Sequence, residues 1–192
     1  GGFRMFKHCV RIFVFIIFIL RIACADENNG RLLKCETTED AKTCMELGFA
    51  KTRDKNYQEA LLYFEQACTY KQSEGCVFAG IIHHNDGKNG AKGSLQALEF
   101  FKKACAANNG KGCLFSGLSY STHAGIAKDL IKALTFFKTA CDLKEGEACF
   151  NIAAIYESGK EIAQNLDQAL IYYQKACDQN IAEACFKSGN FL

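Results

Sequence analysis

The chain has 192 residues, 49% of them hydrophobic and 23% charged, with a formal net charge of +2 and neither proline nor tryptophan. That balance is the balance of one globular domain, and a charge this close to zero excludes the strongly basic footprint of nucleic-acid binders. Twelve cysteines are the outlying count, while the lack of proline suits helices joined by short glycine or asparagine turns, since proline breaks helix interiors.

At the N-terminus, Lys7 and Arg11 precede the apolar run from Ile12 to Leu20, and Ala23-Cys24-Ala25 closes it before Asp26. A basic start, a short apolar core and a small-residue exit are the parts of a secretory signal peptide. Residues 1–25 are read as one, with Met5 as initiator and cleavage after Ala25. Nine apolar residues fall short of the roughly 20 that a membrane-spanning helix needs, so no stable membrane span is expected in the mature form. Cleavage removes Cys9 and Cys24 and leaves ten cysteines; it also removes four basic residues and no acidic one, taking the formal charge from +2 to −2. A mildly acidic mature chain argues further against nucleic acid as partner. Acylation of Cys24 as a lipoprotein is the rival reading, with Arg21 standing where such a motif wants a leucine-like residue.

Residues 26–43 read as an N-terminal lead-in and cap, polar and glycine-containing over 26–34. Cys35 and Cys44 stand nine apart, and Cys44-Met45-Glu46-Leu47-Gly48 has the cysteine-to-glycine offset that recurs later in the chain. Cys35 is therefore read as the partner of Cys44, in a worn first hairpin that caps the array.

Residues 44–192 are built from one repeated unit. An Ala-Leu pair recurs at 60/61, 97/98, 133/134 and 169/170, followed each time by an aromatic pair: Tyr63-Phe64, Phe100-Phe101, Phe136-Phe137 and Tyr172-Tyr173. Ala-Cys comes next, and its cysteines at 68, 105, 141 and 177 step by 37, 36 and 36 residues. Several columns matching at one fixed period are the mark of a repeat array. Apolar residues at Leu130, Ala133, Leu134, Phe137, Ala140 and Cys141 have helical spacing, and a small residue (Gly80, Gly117, Ala153, Gly189) follows four positions after each second cysteine. Two antiparallel helices per repeat follow, and one hairpin alone cannot bury such a stripe, so the repeats must stack. Length differences fall in the loops. Asn85 to Ser94 read as a long glycine-rich loop, whereas after Gly125 and Gly159 the residues Asp129 and Asn165 read as N-caps of the next helices. The chain stops seven residues past Cys185, which is read as a truncation with a sticky last helix.

Each Ala-Cys cysteine has a partner eight positions on, giving Cys68 with Cys76, Cys105 with Cys113, Cys141 with Cys149 and Cys177 with Cys185. A ladder of identical spacings reads as a disulfide framework and an oxidising compartment. Closing a loop of this size removes roughly 2 to 3 kcal/mol of unfolded-chain entropy. Zinc ligand pairs usually sit two to four residues apart and a thioredoxin-like site needs C-x-x-C. Neither occurs, and no metal or cofactor is expected.

These columns, the period and the C-x7-C spacing resemble the Sel1-like repeats of the Helicobacter cysteine-rich protein family. The resemblance covers Cys44 to Leu192 and departs from the family in the first cysteine pair and in Ala153. It implies an all-α, right-handed solenoid of TPR-related helix hairpins, each stapled by a disulfide and exported by the bacterium. It further implies a penicillin-binding protein with weak β-lactamase activity, or a secreted factor that meets host proteins.

The residues themselves assign no catalytic role. A serine β-lactamase needs a lysine one helical turn after its nucleophile, and Ser73, Ser94, Ser116, Ser119, Ser121, Ser158 and Ser188 all lack one three positions on. His83, His84 and His123 are the remaining histidines of the mature chain; neighbours on a helix point about 100° apart, so these are expected to be solvated at helix ends. Binding is the stronger expectation, because stacked helix pairs offer a long concave wall. Its lining should come from the helix after each C-x7-C loop, at Thr52, Arg53, His84, Asn85, Ser121, Thr122, Glu157 and Ser158. Such a wall suits a peptide, a peptidoglycan fragment, a β-lactam or a host protein, and plain surface is the competing reading of each position. The overall expectation is a secreted or periplasmic interaction scaffold, with weak β-lactam hydrolysis as the alternative.

Overall fold

The structure, a computed structural model, describes Cys35 and residues 40–86, 90–122 and 125–190. The signal-peptide segment, the 26–34 lead-in and His123 lie outside the described residues. Chain contacts divide the molecule after Glu39, and the unit beginning at Asp40 contains nine helices and no strand among its described residues. In order these are α1 (Ala41–Arg53), α2 (Tyr57–Thr69), α3 (Ser73–Asn85), α4 (Gly90–Ala106), α5 (Gly110–Ser121), α6 (Leu130–Asp142), α7 (Gly146–Ser158), α8 (Leu166–Cys177) and α9 (Ala182–Asn190). Each packs on its sequence neighbours, and α3 also touches α5, which is the connectivity of a helix-hairpin solenoid.

Helix starts follow side-chain chemistry. Asp40, Asn56, Asn109, Asp129 and Asn165 each accept a hydrogen bond from a backbone N–H in the first turn of α1, α2, α5, α6 and α8. These caps satisfy donors that a helix leaves orphaned. The turns inside the hairpins share one geometry. In the turn after α6, Glu145 N–H reaches the Ala140 carbonyl and Lys144 N–H reaches that of Cys141, while Lys144 sits at φ 69°. This is the Schellman arrangement, and the same pair of bonds recurs around Lys71, Asn108 and Asn180. In every case the Ala-Cys dipeptide supplies both accepting carbonyls.

The disulfides close these same turns. Cys68–Cys76, Cys105–Cys113, Cys141–Cys149 and Cys177–Cys185 join the end of one helix to the start of the next, with Cα separations of 4.6, 4.5, 4.9 and 4.6 Å. Cys35 and Cys44 are also disulfide-bonded and fully buried.

The second aromatic of each pair fills the interior: Phe64, Phe101, Phe137 and Tyr173 are all at most 3% exposed. Three of them lie against the small-residue column. A Cβ built on Gly80 would stand 2.5 Å from the Phe101 ring, and one on Gly117 would stand 2.5 Å from Phe137. The first aromatics join repeats, with Phe100 stacked on His83, Phe136 on Tyr120 and Tyr172 on Tyr156.

Two expectations are corrected. The segment from Asn85 to Ser94 is not one loop, because α4 already begins at Gly90. Its first turn is held by packing: Ser94 is buried and donates to the Gly90 carbonyl, and Gly125 lies so close that a Cβ there would meet Ala91 at 2.7 Å. His83 is not solvated; it is 8% exposed, parallel to the Phe100 ring, with Nε2 3.1 Å from Glu65 Oε1. His84, next on the same helix, is exposed as expected.

Candidate functional site

The repeat that builds the fold also builds a series of equivalent pockets. The first, of 560 Å³, lies between Thr52 of α1 and the α3 residues Phe78, Ile81, Ile82 and Asn85, with Phe64 at its floor. The second, of 390 Å³, lies between His84 of α3 and the α5 residues Phe115, Leu118 and Ser119 with the C-cap Thr122, floored by Phe101. The third, of 310 Å³, lies between Ser121 of α5 and the α7 residues Asn151, Ala154, Ile155 and Ser158, floored by Phe137. Corresponding residues occupy corresponding places in all three. The first two pockets share Ile81 and Asn85, while the second and the third share no residue and are lined by the chain neighbours Thr122 and Ser121, so the three follow one another along the row of repeats.

Their chemistry changes along the series. In the first two, phenylalanines form both floor and wall, and Phe64–Phe78 and Phe101–Phe115 stack at centroid distances of 5.1 and 5.0 Å. In the third, the wall position is Asn151, and Lys128, Lys160 and Glu161 enter from the loops. Lys128 and Glu161 form an ion pair. Lys160 makes no hydrogen bond or ion pair with any described residue.

At the fourth equivalent place, the three corresponding side chains are Glu157, Tyr173 and Lys187, and they hold one another. Tyr173 donates its hydroxyl proton to Glu157 Oε2 at 2.6 Å, and Lys187 Nζ lies 3.0 and 2.9 Å from the two carboxylate oxygens. The Tyr173 hydroxyl, then Lys187, hold the Glu157 carboxyl below its ordinary value. Burial first, and the Glu157 carboxylate second, push the Tyr173 phenol well above the usual tyrosine range.

Of the positions expected to bind, Thr52 and Asn85 line the first pocket, His84, Asn85 and Thr122 the second, and Ser121 and Ser158 the third. Glu157 belongs to the cluster that occupies the fourth place, and exposed Arg53 lines none of the three. Sequence reasoning missed the apolar walls at Phe78, Ile81, Phe115 and Leu118, and the lysines at 128 and 160. Column position held the signal for the walls, which lie at fixed offsets from Cys76 and Cys113. Ser94, Ser116, Ser119, Ser121, Ser158 and Ser188 each donate to a carbonyl of their own helix, and none of them hydrogen-bonds a described His, Asp or Glu side chain. Among the described residues, no three His, Cys, Asp or Glu side chains gather as a metal centre requires.

Comparison with known proteins agrees with this architecture. The family model of the Sel1 repeat matches residues 43–69, 73–109, 112–145 and 146–181. A Sel1 repeat protein from Oxalobacter formigenes superposes with a TM-score of 0.69 at 18% identity, over 81% of this chain and 64% of that one. A protective antigen of uropathogenic Escherichia coli strains, with an SLR fold, gives 0.66 at 18% identity, over 79% of this chain and 33% of that one. The chain thus spans less than two thirds of the length of either protein. Helicobacter pylori cysteine-rich protein B is 27% identical, with a TM-score of 0.53 over 67% of this chain and 91% of its own. No protein of curated function matches the sequence. With four consecutive repeats matched over most of its length, the chain belongs to the Sel1 repeat family.

Proposed function

We propose that this protein is an interaction scaffold acting outside the cytoplasm, and that its groove binds an extended peptide segment of a partner protein. The observation that carries the reading is the series of equivalent pockets at repeat spacing, two of them lined by phenylalanine pairs. Apolar pockets with a few polar groups at the rim are the usual form of a ligand site, and a row of them suits a linear chain better than a compact molecule. Peptidoglycan fragments, which carry short peptides, and host proteins with exposed segments fall in the same ligand class. Ten disulfide-bonded cysteines support an oxidising compartment, secreted or periplasmic, reached through the 1–25 signal peptide. The pairing of Cys35 with Cys44 is part of this proposal.

Asn85 borders both apolar pockets and is exposed, so Asn85→Arg should obstruct the groove without touching the core. Peptide capture from a random display library by the oxidised protein should be abolished in N85R while the melting temperature is unchanged. Equal capture by both proteins would place the binding surface elsewhere. β-Lactam hydrolysis, the alternative implied by family resemblance, requires saturable turnover of a chromogenic cephalosporin; with the serines bonded to helix carbonyls we propose binding without turnover.

A further inference from the structure

The two middle hairpins differ from their neighbours on the outer surface of their first helices. On α4 the buried stripe is Gly93, Ser94, Ala97, Leu98, Phe101 and Ala104. Helical spacing gathers Lys92, Leu95, Lys102 and Lys103 on the opposite side, where all four are exposed. One repeat on, exposed Ile131, Lys132 and Lys138 take the corresponding surface of α6. Leu95 and Ile131 hold the same position of the repeat, two residues before the Ala-Leu pair, and are 53% and 69% exposed. Lys102 and Lys138 also share a position. The residues at these two positions are Gln58 and Glu65 on α2, and Asp167 and Gln174 on α8, so the two columns are apolar and basic only on α4 and α6.

Charge on this face is in excess. Lys102 lies 3.6 Å from Glu99, and Lys132 lies 3.0 Å from Asp129. Lys92 and Lys138 pair with no carboxylate among the described residues, and Lys103 lies over the Phe100 ring at 5.0 Å. With Asp142 at the end of α6 counted, five lysines face three carboxylates. None of these side chains lines the three pockets.

We infer that the α4–α6 face docks on an anionic membrane surface, with Leu95 and Ile131 entering the headgroup layer and the lysines meeting lipid phosphates. Flexible lysine stems around shallow aliphatic side chains suit a fluid interface, where apolar burial and attraction to anionic lipid add together. A second copy of this chain would bring lysines against lysines. An acidic protein partner would want a pocket for an anchoring side chain, and Leu95 and Ile131 project from separate helices with none of the three pockets between them. This docking uses residues apart from those of the groove and does not rest on what the groove binds.

The test follows sedimentation of the oxidised protein with phosphatidylcholine vesicles, with and without phosphatidylglycerol. Binding should require phosphatidylglycerol and should fall as salt rises. The double variant Lys92→Gln, Lys138→Gln should bind about 25-fold more weakly, at about fivefold for each surface lysine, with an unchanged circular dichroism spectrum. The chain has no tryptophan, so Leu95→Trp makes a single reporter whose emission should move to shorter wavelength on anionic vesicles. Leu62→Trp, at an exposed position of α2 between Glu59 and Glu65, should show no such move. All variants share one N-terminus, so lipid binding by the apolar run 12–20 is common to them and cannot produce these differences. No binding to anionic vesicles, equal binding by K92Q/K138Q, or an unmoved emission at position 95 overturns the assignment. Retention on immobilised poly-L-glutamate without binding to vesicles would overturn it in favour of an acidic protein. Each of these outcomes is distinct from the N85R result, which bears on the groove alone.

Discussion

Glu157 accepts hydrogen bonds from a buried phenol and from an ammonium, so its carboxylate is stabilised by Tyr173 and Lys187 together. Both favour the ionised form in the folded state, and its folded pKa lies below the ordinary 4.5. A depressed carboxylate stabilises the fold fully above its unfolded pKa, and that contribution is lost as pH falls through the lower folded value. Melting temperature measured by calorimetry should therefore fall as pH drops below 4.5, and Glu157→Gln should flatten that part of the profile. An unchanged acid slope in E157Q would assign the acid sensitivity to other carboxylates. At neutral pH the same substitution should lower the melting temperature, since a neutral amide holds Lys187 less strongly. The residue thus connects the filled fourth place with the stability of α7, α8 and α9.

At the scale of the element, turn and staple coincide. The Ala-Cys carbonyls accept the two Schellman bonds, the residue in the left-handed region follows, and the disulfide spans the turn within a Cα separation of 4.5 to 4.9 Å. Because backbone bonds already define this turn, the staple's main effect is on the unfolded chain, where closing a short loop is worth about 2 to 3 kcal/mol. The double substitution Cys141→Ala, Cys149→Ala should lower unfolding free energy by that amount in urea titration and leave the helix content unchanged. A loss of helix signal would instead mean that the bond holds the turn itself. The hairpins are legible in the sequence because columns such as Ala140-Cys141 and Gly117 answer to local rules of turn closure and close helix approach, and Asp129 and Asn165 cap as their chemistry predicts. The start of α4 at Gly90 is not legible, since its first turn is set by contact with Gly125, far off in the chain. Nor is the burial of His83, which depends on Phe100 from the next repeat. The pocket-lining face is legible through Thr52, Asn85 and Ser158, while the pocket floors, Lys160 and the filled fourth place depend on side chains that only stacking brings together.

For the molecule as a whole, packing between sequence neighbours makes stability a sum of local contributions with limited reach. One apolar cluster runs from Cys113 through Phe137, Ile152 and Tyr173 to Ala184, tying α5 to α9, whereas Cys76, Val77 and Ala104 form a separate cluster between α3 and α4. Ile152 is fully buried at the centre of the larger one. Ile152→Ala should cost about 2 to 5 kcal/mol, the range for removing a large aliphatic side chain from a packed interior. In a solenoid that cost should be confined. Native-state hydrogen exchange should show faster opening of amides throughout α5 to α9, with α1 and α2 exchanging as in the parent protein. Uniform acceleration over all nine helices would show a single cooperative unit instead. Confinement has a consequence for the pockets: the two apolar ones, walled by α3 and α5, would keep their shape at α3 while the charged third pocket, walled by α7, loosens. Display-library capture that depends on Asn85, at the first pocket, should therefore persist in I152A.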